Sequence, residues 1–136
     1  MQLDRRARVV LWVDGAAATG AGITVLALRQ WLAPLHGIEP AFVTFLGVVN
    51  LCYGAYAGSL ALRASRASAL HRVAIDVLVL ANAAWAVVCA GIVVARWTSA
   101  SRYGLMHVAF EGAFVGTLAF VEYRLVRPLV SPASPR

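Results

Sequence analysis

Four of the six acidic residues in this 136-residue chain, Asp14, Asp76, Glu111 and Glu122, stand inside stretches that are otherwise apolar. An ionisable side chain in a bilayer costs about 3 kcal/mol or more at the centre, so each of these needs a partner or a task. Glu111 is the deepest. A carboxyl in that setting is either neutral and donating a hydrogen bond or ionised opposite a cation, and His107, one helical turn away, is the obvious partner. Such a carboxyl can act as general acid or base, carry a proton, or anchor a ligand.

At about 100° per residue, Tyr103, His107, Glu111, Phe114, Leu118 and Glu122 fall within one helical stripe. Asn82, Trp85 and Cys89 share a face of a second segment, and Asn50, Tyr53, Gly54 and Ala57 share a face of a third. Facing these stripes toward one another predicts a polar pocket within the membrane, lined by Asn50, Tyr53, Asn82, Trp85, His107 and Glu111. Glu111 and His107 are its best candidates for chemistry, and a lipophilic small molecule such as a lipid, quinone or isoprenoid is its expected occupant. The same residue types also fasten helices together, through hydrogen bonds of about 0.6 kcal/mol each in membranes.

Asp14, Asp76 and Glu122 form a shallower tier, about 4 to 8 Å inside the cytoplasmic boundary by helix rise. Arg72 stands at i,i+4 from Asp76, and Arg8 and Arg127 flank the other two, so the expectation is a cytoplasmic charge collar of Asp14, Asp76, Glu122 and Arg72. A gate or cation access site is the functional alternative. No metal site is expected, because His107 and Glu111 supply two ligands; His36 and Glu39 would complete a zinc site, but no spacing enforces it. The sequence contains no glycine-rich phosphate loop, CxxC pair, HExxH or serine elbow, so the cofactor stays unassigned.

These residues must be positioned by helices. The chain is 61% hydrophobic and 13% charged, against about 25% charged in a soluble domain, and a fold this small cannot hide that much apolar surface from water. Four runs, Val9 to Leu28, Ala41 to Leu62, Val73 to Ala95 and Leu105 to Val126, are each long enough as helices to span the roughly 30 Å hydrocarbon layer. None alternates in polarity as a transmembrane strand would. A cleaved signal peptide is not expected, since the first run is too long and Asp14 interrupts it.

All twelve basic residues are arginine. Arg5, Arg6, Arg8, Arg63, Arg66, Arg72, Arg124, Arg127 and Arg136 fall on one side of the four runs, and Arg29, Arg96 and Arg102 on the other. That asymmetry predicts both termini in the cytoplasm and assigns the net charge of +6 to topology and anionic headgroups rather than to nucleic acid. Abundant Ala, Arg and Val without lysine suggests a GC-rich bacterial genome, and with it the inner membrane.

The expected fold is therefore all-α: one four-helix transmembrane domain over residues 1–127, up-down-up-down with both ends inside, followed by a proline-rich tail over 128–136. Arg29 to Pro40 reads as an outer loop, broken by Pro34, Gly37 and Pro40. Trp12, Trp31, Trp97, Tyr103 and Tyr123 sit at headgroup level, whereas Tyr53, Tyr56 and Trp85 lie deep and need hydrogen-bond partners. Cys52 and Cys89 differ in depth by too much for a disulfide. Gly15, Gly20 and Gly22, and Gly47, Gly54 and Gly58, announce close helix approach, either within the chain or across a homodimer or larger complex.

Three functions follow as expectations: a bundle that binds a lipophilic small molecule at Glu111; a small proton-coupled transporter using Asp14 or Glu111; or an accessory subunit docked through its glycine faces. Four helices with an acid near position 14, and Thr19 after it, resemble the small multidrug exporters in outline. No other motif of that family is present, and the arginine bias opposes the dual topology its dimers use.

Overall fold

The structure is a computed structural model that describes residues 3–66, 69–98 and 101–130. Among these are five α-helices: α1 (Arg5–Ala27), α2 (Arg29–His36), α3 (Pro40–Ser65), α4 (Arg72–Arg96) and α5 (Arg102–Val121). The last runs on through a π-helical turn, Glu122–Val126, and a 3-10 turn, Arg127–Leu129. Four stretches, α1, α3, α4 and the continuous Arg102–Leu129, are long and apolar enough to cross a membrane. Residues 131–136, most of the expected tail, lie outside the described residues, as do parts of the second and third links.

Three of the helices, α1, α3 and α5, begin on residues suited to starting a helix. The Asp4 carboxylate accepts the Ala7 N–H at 2.7 Å to cap α1, and the Ser101 hydroxyl accepts the Gly104 N–H at 3.1 Å to cap α5. Pro40 opens α3 at a position where its missing N–H is no loss. The helices extend past the apolar runs by up to four residues because capping and polar end turns, invisible to hydropathy, belong to them.

α2 is a correction to the expected outer loop. Leu28 both ends α1 and starts α2, its carbonyl accepting the Trp31 and Leu32 N–H groups at 2.9 Å. Pro34 lies within the short helix, and Gly37, at φ 66°, terminates it in the left-handed region.

α1 and α3 run past each other with opposite polarity, backbone against backbone. A Cβ added at Gly15 would come 2.8 Å from the Gly58 nitrogen, one at Gly22 2.9 Å from the Gly47 carbonyl, and one at Gly54 2.7 Å from the Thr19 nitrogen. The close approach that the glycines announced is thus made within one chain. α4 and α5 form the second pair, with Gly112 against Cys89 and Gly116 against Ala86.

The two pairs meet most closely at the end where α3 connects to α4. Leu11, Leu60, Ile75, Leu78 and Val126 form the apolar core there, and the Tyr56 hydroxyl donates to the Ala74 carbonyl at 2.8 Å, tying α3 to α4. Tyr56→Phe is expected to lower unfolding stability in detergent titrations by about 1 kcal/mol, the usual worth of one hydrogen bond. An unchanged midpoint would contradict that role.

The outer surface suits lipid. Val87, Val94 and Phe110 are over 70% exposed, and Trp31, Trp97 and Tyr103 stand out near the helix ends, as interfacial aromatics do. Cys52 is exposed, Cys89 is buried, and both are free thiols.

Candidate functional site

The inner faces of the helices carry two polar clusters. The first draws one residue from each membrane-length segment. Asp14 lies on the face of α1 that buries Ala7, Leu11 and Ala18; Tyr53 comes from α3, Asn82 from α4, and Glu122 opens the π-helical turn. The Tyr53 hydroxyl donates to Asp14 Oδ2 at 2.7 Å, and Asn82 Nδ2 donates to Glu122 Oε2 at 3.2 Å. The Asp14 and Glu122 carboxyls are close enough to act on each other electrostatically. Asp14 and Asn82 are 2% exposed and Glu122 is 0%.

Geometry at the π turn explains how Glu122 arrives there. A π turn adds a residue to the helical repeat, a device common at functional sites. Here it buries Glu122 and Val126 together and brings Arg127 to Asp76 on α4, where the guanidinium Nε and Nη2 donate to the two carboxylate oxygens. Asp76 is therefore paired with Arg127 rather than with Arg72, whose buried Nε has no partner. Among the described residues no arginine reaches Asp14 or Glu122, so the residues expected as one collar divide between an ion pair and a cluster without a cation.

That absence fixes the chemistry. Two neighbouring carboxyls, screened from water and facing no positive group, repel each other when both are ionised. A single proton between them turns repulsion into a hydrogen bond, as in other carboxyl dyads. Glu122 Oε1 remains without a hydrogen-bond partner, leaving a buried acceptor free.

The second cluster lies farther along α5. Glu111 is roughly 16 Å of helix from Glu122. Its Oε1 accepts the Trp85 indole N–H at 2.8 Å, while Oε2 is 3.9 Å from His107 Nε2, too far for a hydrogen bond. The Glu111 side chain is 31% exposed. His36, from α2, meets His107 edge to face with ring centroids 5.5 Å apart. Burial and the neighbouring His107 lower the His36 pKa from its ordinary value, and Glu111 opposes them.

Of the six residues expected around one pocket, Trp85, His107 and Glu111 come together, whereas Tyr53 and Asn82 join Asp14 and Glu122. Asn50 joins neither, its Nδ2 donating to the Leu46 carbonyl of its own helix at 3.0 Å. An apolar groove of about 410 Å³ between α4 and α5 is lined by small residues such as Ala86, Ala90, Ala109 and Gly112, without Glu111. Among the described residues no three His, Cys, Asp or Glu side chains are arranged to hold a metal ion.

Four membrane-length helices closed around ionisable groups make this a protein built like a multi-pass membrane protein. No protein-family model, curated protein or solved structure matches the chain.

Proposed function

We propose that this chain is a small proton-coupled transporter of a lipophilic molecule, an up-down-up-down bundle in a bacterial inner membrane with both ends in the cytoplasm. The observation that carries the reading is the buried Asp14–Glu122 carboxyl pair, which faces no cation and has one oxygen free. A structural fastening has no need of two neighbouring acids; a proton carrier does, because one proton can be held there and released when the helices part. Tyr53 and Asn82 orient the pair, and the arginine asymmetry supports the orientation in the membrane.

Glu111 is the natural anchor for the molecule itself, since its Oε2 lies within the membrane-spanning part of the bundle with no hydrogen-bond donor in reach and the Trp85 ring beside it. Vesicles containing the protein, given a pH gradient, are expected to concentrate tetraphenylphosphonium as a permanently cationic probe or a decyl quinone as a neutral one, beyond protein-free vesicles. Asp14→Asn and Glu122→Gln should abolish that accumulation. Equal probe distribution with the native protein and both variants would contradict the proposal.

A further inference from the structure

α2 is held to α5 differently from the way the long helices hold each other. Of its eight residues only Ala33 is buried, and Trp31 is 63% exposed. Its attachment to α5 consists of small polar contacts: the His36 ring edge on His107, the Ser101 hydroxyl donating to the Leu35 carbonyl at 3.4 Å, and His36 set over Gly104. A Cβ at position 104 would come 3.0 Å from His36 Nδ1, so the imidazole occupies the space that the glycine leaves. Contacts of this kind resist little once charge appears between them.

We propose that His36, His107 and Glu111 form a second proton-binding site, far along the bundle from Asp14 and Glu122, and that protonation of His36 there releases α2 from α5. The groups acting on the His36 ring are His107 and Glu111, both on α5. With both imidazoles neutral, an edge-to-face arrangement is favourable. Once the His36 ring carries a proton, His107 beside it opposes that charge more than Glu111 offsets it.

The direction of the pH response follows. Burial first, then His107, depress the His36 pKa in the docked state below its ordinary value, with Glu111 opposing; an undocked α2 in water has the ordinary value. Protons therefore bind the undocked state more readily. Docking is fully present above an ordinary histidine pKa of about 6.5 and weakens as pH falls below it. Between the two pKa values the ratio of open to docked rises by up to about tenfold per pH unit. For the transporter reading, on which only the purpose of the opening rests, release of α2 frees the end of α5 at His107, one helical turn from Glu111.

The test is a distance measurement between spin labels at Trp31→Cys on α2 and Tyr103→Cys on α5, in the full chain with Cys52→Ala and Cys89→Ala, in phosphatidylcholine bilayers. From about pH 8 to about pH 5, a span that brackets histidine titration, the single docked distance should give way to longer, broader ones. His36→Gln should hold the docked distance throughout, and His36→Lys should be open throughout. Glu111→Gln should enlarge the pH-driven opening and His107→Gln should diminish it. A distance that ignores pH in the native sequence, or a pH response that survives His36→Gln, would overturn the proposal. The same distances in Glu122→Gln keep the two ideas apart, because the latch should still respond there even though proton coupling is lost.

Discussion

Glu122→Gln is expected to leave a protein that folds and yet no longer couples to protons. The amide can still accept from Asn82 Nδ2, so the hydrogen bond made at this buried position persists. Its unfolding midpoint should move by the equivalent of less than about 1 kcal/mol, while gradient-driven accumulation falls to background. Glu122→Ala separates the two roles. It removes the partner of Asn82 and leaves a cavity in a fully buried site, which should cost about 1 to 3 kcal/mol for each stranded polar group, with a cavity term in addition. If Glu122→Gln destabilised the protein as much as Glu122→Ala, or transported normally, the carboxyl would be a fastening only.

The second large effect is steric. Gly54→Leu should separate α1 from α3, because even the first carbon of the new side chain would meet the Thr19 side chain and come 2.7 Å from the Thr19 backbone nitrogen. Overpacking of this kind typically costs about 1 to 3 kcal/mol, and backbone-to-backbone contact leaves little room for relaxation. Since Asp14 and Tyr53 ride on those two helices and share a hydrogen bond, the substitution should also disturb the carboxyl pair. Gly20→Leu is the control: nothing lies within 4 Å of a Cβ built there, and its unfolding midpoint should stay near that of the native protein. Equal effects at both positions would contradict the packing described for α1 and α3.

Much of this arrangement was legible in the amino-acid order. Apolar length alone marks the four long helices, since only a helix of about 20 residues satisfies its backbone across hydrocarbon. The deep aromatics behave as their polar tips require: Tyr53, Tyr56 and Trp85 all find acceptors. The grouping of the acids is less legible, because helix rise ranks residues by depth without saying which faces meet: Tyr53 reaches Asp14 and Asn82 reaches Glu122, across the two tiers that rise alone suggests.

Two further features lay beyond hydropathy. The π turn at Glu122 changes which residues share a face, and no uniform angle per residue can anticipate it. The helix α2 is too short for its periodicity to stand out, so His36 looked like a loop residue although it reaches His107 on α5. Gly15, Gly22, Gly47 and Gly54 signalled close approach correctly but not the identity of the partner, which only the antiparallel run of α1 along α3 reveals.

Infrared absorption of the carboxyl C=O stretch tests the central claim most directly, because a protonated carboxyl absorbs apart from a carboxylate. Near neutral pH the native protein in bilayers should show a protonated carboxyl, shifted or lost in Asp14→Asn and in Glu122→Gln but untouched by Glu111→Gln. Absence of a protonated carboxyl in the native protein, or a band indifferent to both Asp14 and Glu122, would mean that no proton is held between them.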